Sequence, residues 1–258
     1  MLNLTKKSNF FIAAALMVMA TSCKNEVLPS CEGIHWTYEG EEGPDHWGEL
    51  CVDYTPCGGQ VQSPVNIAGA VDDAALMEIA KTYSSTATHI LNNGHTIQFT
   101  ADSGSSIVIN GETYNLLQFH FHTHSEHTVG GTSYPMEAHF VHKNEATGKL
   151  VVIGVLFEEG AENATLAPFI DHLPETADAT YDAADTFNPA DLLPAEKSYY
   201  TYAGSLTTPP CSEIVTWIVM EHPIVASHDQ ILHIEELEHE NNRPIQALEG
   251  RVIKHFNG

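Results

Sequence analysis

The sequence predicts one mainly β (α+β) domain, a mostly antiparallel sheet with short peripheral helices. Three observations carry that expectation. Short apolar or alternating runs recur along the chain, as strands require. Turn-forming pairs rich in Gly, Asn and Asp separate them. Helical periodicity is confined to a few short segments.

The elements follow in order. Lys6 and Lys7 precede an apolar run from Phe10 to Ala20, too short to span a bilayer and suited to a signal peptide, so residues 1–22 are expected to be removed. Ala20-Thr21-Ser22-Cys23 resembles a bacterial lipobox, which would make Cys23 the lipidated first residue and residues 23–30 a tether. The expected location is therefore the periplasm or outer membrane surface of a Gram-negative bacterium. Residues 31–258 form the domain. Its first part, to Ser63, is rich in Gly, Pro, Trp and Tyr without periodicity and reads as irregular structure packed by aromatics. Strands are expected at 90–91, 96–101, 106–109, 116–122, 136–142, 150–156 and 215–220. Ile109-Asn110-Gly111-Glu112 has hairpin grammar. Helices are expected at 74–81, 166–172 and 228–240.

Charge and cysteine content narrow the class. With 34 acidic against 10 basic residues the net charge is −24, which repels nucleic acid and anionic lipid. A membrane partner is expected only through the lipid. Export implies an oxidising compartment. Setting Cys23 aside, Cys31, Cys51, Cys57 and Cys211 allow three pairings.

The chemistry concentrates in Gln118-Phe119-His120-Phe121-His122-Thr123-His124-Ser125-Glu126-His127. On an extended strand His120 and His122 share one face and the two phenylalanines the other. Glu137-Ala138-His139 lies in the next apolar run, beyond Gly130-Gly131, where a hairpin would bring His139 beside the first pair. Three neutral imidazoles with one open position describe a catalytic zinc site. Gln118 and Glu137, each two positions before a ligand, share the ligands' faces and could hold their outer nitrogens.

The resemblance is to α-class carbonic anhydrases, and it is collinear over nearly the whole domain. It runs through His35–Gly40, Gly43-Pro44-Asp45-His46-Trp47, Gln62–Ile67, Leu91–His95, the histidine strand, Ser125–Val129, Gly204–Cys211 and Asn242–Gln246. It implies a large twisted sheet with one zinc per chain, on His120, His122 and His139, at the bottom of a conical cleft. The implied reaction is reversible hydration of carbon dioxide, by attack of zinc-bound hydroxide. Zinc lowers the pKa of bound water from about 15.7 to about 7, a value known for this very family. Thr207 and Glu126 match the pair that orients the nucleophile, and Thr208 lines the same wall. His95 matches the proton shuttle, and Tyr38, Asn93 and Gln98 match positions along its water path. Val141, Val152, Leu206, Val215 and Trp217 match the apolar wall for carbon dioxide. Ser63-Pro64 and Pro209-Pro210 match cis bonds. The favoured cysteine pairing is Cys57–Cys211, with Cys31–Cys51. The substrate is a small molecule and the chain a monomer or homodimer. His124 departs from the family pattern, standing where bacterial relatives usually carry proline, and is expected at the rim rather than on the metal.

Two other readings remain at this point. His120-x-His122-x-x-x-Glu126 satisfies part of a cupin metal motif, although the second Pro-x-Gly…His motif is missing. The chain's 16 histidines suggest an exported zinc scavenger without turnover.

Overall fold

The computed structural model describes residues 28–258; the leader, Cys23 and the start of the tether lie outside the described residues. A 13-stranded sheet organises the domain. From one edge, its strands run Thr180–Phe187, Thr86–Asn92, Ile97–Thr100, Glu112–His122, Met136–Lys143 and Leu150–Glu159. Val215–Met220, Tyr199–Gly204, Lys254–Phe256 and Val71–Asp72 complete the path. Most neighbours are antiparallel, but Leu150–Glu159 pairs in parallel with Val215–Met220 and Ile224–Ala226, so the sheet is mixed.

Alternation along Glu112–His122 sorts its side chains. Phe119 and Phe121 are buried in the main core with Phe99, Phe140 and Phe157. Phe119 stacks between Phe99 at 4.8 Å and Phe140 at 5.0 Å. Each such pair adds about 0.5–1.5 kcal/mol beyond area burial. The expected hairpin forms at Ile109↔Glu112, with Asn110 at φ 52 and Gly111 at φ 80. Positive φ at both central residues is what a type I′ turn requires, and Asn-Gly tolerates it.

The N-terminal part is irregular, as expected. Three short helical turns, at Gly40–Glu42, Trp47–Leu50 and Val52–Gly58, pack Trp36, Tyr38, Trp47 and Tyr54 around the Cys57–Cys211 disulfide. Cys31–Cys51 forms the second bridge. Two disulfides fit an oxidising compartment. No helix among the described residues is long and apolar enough to cross a membrane.

Helix expectations need correction. Residues 74–81 form no helix; their end is the strand Ala80–Thr82, paired with Ser106–Ile109. Ile79 is buried, and strand pairing outweighs the helical propensity of Ala, Leu, Met and Glu there. At 166–172 only Ala167–Ile170 is helical. The last helix is His228–Glu238, started by a Ser227–Gln230 capping box and ended by His239 at φ 57. Strands Thr180–Phe187 and Tyr199–Gly204 were not expected at all.

Candidate active site

The three predicted histidines meet because of register. His120 pairs directly with His139, and His122 with Glu137, across the antiparallel strands Glu112–His122 and Met136–Lys143. Directly opposed residues present side chains on one face. The ligand atoms of His120, His122 and His139 all lie within 4.8 Å of one another.

Each ring is held by its other nitrogen. His120 Nδ1 donates to Gln118 Oε1 at 2.9 Å, and His139 Nε2 to Glu137 Oε1 at 3.0 Å. His122 Nδ1 donates to the Asn241 carbonyl at 2.8 Å. These oxygens can only accept, so each bonded nitrogen carries the proton and each free nitrogen a lone pair. Burial, with the neighbouring rings, holds His120 well below the ordinary imidazole range; burial lowers His122 too. Neutral imidazole is the form a metal needs.

Glu126 turns toward the same point. Its Oε1 accepts the Arg243 backbone N–H at 2.8 Å. Oε2 lies 3.6 Å from His122 Nε2 and 3.8 Å from His139 Nδ1. Oε2 and His122 Nε2 are buried without a hydrogen-bond partner. Lone pairs and a carboxylate oxygen facing one another repel unless an electron-poor centre or a donor lies between them. The donor set therefore fits a cation. Thr207 is buried, and it makes no hydrogen bond to Glu126.

Glu137 shows how tightly the surroundings are built. It accepts the His127 backbone N–H and Nδ1–H, both at 2.8 Å, besides His139. Burial alone would raise this carboxyl, yet His127 and His139 hold it well below the usual carboxylate range. Gly154 pairs with His139, and a Cβ there would stand 2.7 Å from Glu137 Oε1, so only glycine leaves room for the carboxylate.

Three of the apolar residues lie in one cross-strand row. Gln118, Val141, Val152, Trp217 and Tyr202 are successive cross-strand partners. Val141, Val152, Val215 and Trp217 pack in one cluster with Leu206 against it. The loop bearing Thr207 and Thr208 is fixed by Trp217 Nε1 on the Ser205 carbonyl at 3.0 Å, and by Cys211. Ser63-Pro64 and Pro209-Pro210 are cis, as is Thr123-His124.

On the other side, half-buried His95 stacks on Trp36 at 3.8 Å between centroids. Burial and neighbouring His35 lower its pKa. The Tyr38 ring lies 6.4 Å from that of His95, and burial with Glu126 and Glu238 pushes its hydroxyl well above the ordinary value. Gln98 pairs with His120. Asn93 Oδ1 caps the turn through the N–H groups of His95 and Thr96. His124 is exposed and outside every ligand group.

A match to the family model described as eukaryotic-type carbonic anhydrase spans residues 42–257. The chain belongs to that family. A carbonic anhydrase of Pectobacterium atrosepticum is 42% identical over 251 residues, 96% of this chain and 100% of that protein. The α-carbonic anhydrase of Thermovibrio ammonificans superposes with a TM-score of 0.83 at 41% identity, covering 86% of this chain and 99% of that one. A hyperthermostable carbonic anhydrase from a hydrothermal vent chimney has the same TM-score at 48% identity, covering 86% and 100%. The protein is thus a carbonic anhydrase that hydrates carbon dioxide reversibly to bicarbonate and a proton. The family's enzymes use zinc, and the three-histidine group could hold a metal. The cupin reading falls with the family. The scavenger reading is not favoured either, since both ligand groups among the described residues share His139.

Sequence reasoning missed several residues here. Asn241 contributes a backbone carbonyl, which leaves no side-chain signature. His127 ends the histidine-rich stretch, but its bonds to Glu137 and to Tyr202 Oη at 2.7 Å depend on distant strands. Trp36, the partner of His95, lies within His35–Gly40.

Proposed function

We propose that His120, His122 and His139 hold one zinc ion per chain and that the surrounding residues divide the work of carbon dioxide hydration. The carrying observation is that all three outer ring nitrogens donate to acceptor oxygens, so three lone pairs converge. Bound there, zinc would supply the Lewis acidity that makes water nucleophilic near neutral pH. Metal analysis of purified protein is expected to find one tightly held zinc. Iron or manganese, or several labile ions, would contradict this assignment.

Gln118, Glu137 and the Asn241 carbonyl fix the ligand rings. A carboxylate oxygen can only accept, so a Thr207 hydroxyl donating to the free Oε2 of Glu126 turns the threonine's own lone pairs toward the attacking water. Carbon dioxide has no dipole, and the wall of Val141, Val152, Leu206, Val215 and Trp217 gives it an apolar seat, with Thr208 beside it. His95 takes the released proton along water held by Tyr38, Asn93 and Gln98, and passes it to solvent.

His95→Ala is expected to lower kcat at least about tenfold, toward the hundredfold typical of a positioned acid–base group, while kcat/KM changes little. Added imidazole should restore the rate. A shuttle must be neutral to accept a proton. The lowered pKa of His95 therefore puts the acidic fall in kcat below pH 6.5, the ordinary imidazole value, and the variant should lose that limb. An unchanged kcat in weak buffer would remove His95 from the path.

Export belongs to the same reading and is supported by the two disulfides, while a lipid on Cys23 rests on the Ala20-Thr21-Ser22-Cys23 sequence. The mass of the mature N-terminus would reveal an unmodified Cys23.

A further inference from the structure

The Asn241 carbonyl that holds His122 belongs to a stretch without regular structure, after the last helix has ended at Glu238. Its backbone N–H reaches the Thr123 carbonyl only at 3.4 Å. The side chain does more to place this residue. Asn241 Oδ1 accepts the Thr123 N–H at 2.9 Å. Its Nδ2 faces the carbonyls of His95 and Phe121, both at 3.1 Å, and Glu238 Oε2 at 3.2 Å. With an N–H on one side and oxygens on the other, the amide has one workable orientation.

Glu238 is 7% exposed, and none of the roles assigned above uses it. Its Oε1 accepts the Ile97 N–H at 2.6 Å and lies 2.8 Å from Thr96 Oγ1. Thr96 Oγ1 is also 2.7 Å from the Phe121 carbonyl, with a single proton for the two oxygens. Burial pushes the Glu238 carboxyl up to about 8, against the pull of its three donors. A proton retained on Oε1 satisfies both Thr96 contacts and leaves Oε2 an acceptor for Asn241. One buried carboxyl thus ties the end of the helix to the turn following His95 and to the residue that orients His122.

We infer that Glu238 is a positioning residue of the metal centre, fixing the His122 ring through the Asn241 amide. The inference rests on His122 being a zinc ligand. Removing Glu238 leaves the Asn241 amide held only by the backbone of His95, Phe121 and Thr123 and detaches it from the helix, so the carbonyl facing His122 Nδ1 is less firmly placed. Outer-shell partners of metal-bound histidines typically contribute ten- to a hundredfold in metal affinity. A partner acting through one further residue belongs at the lower end.

Zinc affinity of the full chain, measured by chelator competition, tests this in Glu238→Leu, Glu238→Gln and Thr96→Val. Glu238→Leu should weaken zinc binding about tenfold. Glu238→Gln keeps the volume but must set its NH2 against either the Ile97 N–H or Asn241 Nδ2, so it should weaken binding less. In both variants the His122 Nδ1–H resonance should exchange faster with solvent, a change that general loss of stability would not confine to one imidazole. Thr96→Val removes the other end of the carboxyl's contacts and should bind zinc like the parent. Parental affinity in either Glu238 variant overturns the proposal, as does an equal loss in Thr96→Val. A parent that binds no zinc would overturn the ligand assignment and the proposal with it.

Discussion

His139→Ala is expected to abolish zinc retention and carbon dioxide hydration together. His139 is the only one of the three proposed ligands carried by Met136–Lys143, and its position opposite His120 closes the site. Two imidazoles on one strand cannot form the three-nitrogen set of a catalytic zinc centre. Metal Lewis acidity is worth several kcal/mol of transition-state stabilisation. At about 1.4 kcal/mol per tenfold, hydration should fall by a factor of at least roughly 10³. The fold should survive, because Glu137 keeps both bonds to His127 and no buried charge is left alone. Zinc content, hydration rate and thermal unfolding of one preparation check this. Exposed His124 supplies the contrast, since His124→Ala should keep its zinc. A His139→Ala protein that retained stoichiometric zinc and hydrated carbon dioxide within tenfold of the parent would refute the ligand set.

Thr207→Ala should leave zinc in place and lower kcat/KM about a hundredfold, near the lower end for loss of one preorganised hydrogen bond in an active site. The reason lies in Glu126. Its Oε1 is committed to the Arg243 N–H, whereas Oε2 is buried, lacks a partner and faces the histidines. A hydroxyl donating to Oε2 has only lone pairs left to offer the attacking water, which fixes that water's orientation. Alanine removes this selection without touching a metal ligand. The effect therefore belongs in kcat/KM rather than in metal content, and stopped-flow hydration separates the two. Turnover equal to the parent's would show that Thr207 does not orient the nucleophile.

What the sequence made legible follows a physical division. Strands with a buried face announce themselves: the alternation of His120 and His122 with Phe119 and Phe121 foretold both the strand and its two faces. The hydrogen bonds of Gln118 to His120 and of Glu137 to His139 were legible for the same reason, since i, i+2 residues share a strand face. Thr180–Phe187 was not, because an edge strand with two aspartates and no apolar alternation gets its pairing from its neighbour Thr86–Asn92. Segment 74–81 misled because its helix-forming residues answer to a strand partner some 25 residues on. At the site, pairings between distant segments stayed hidden: Asn241 with His122, Glu238 with Thr96, and Trp36 with His95. The paired cysteines were readable only through resemblance to a family, because no spacing rule connects residues so far apart, and the roles proposed for Thr207 and His95 rest on the same resemblance.

Stopped-flow hydration of carbon dioxide by the purified native chain, with zinc counted in the same sample, is the most direct measurement. The expected result is rapid hydration by protein carrying one zinc per chain, lost on chelation and restored by zinc. A well-folded chain with one zinc and no hydration above the uncatalysed rate would contradict the account.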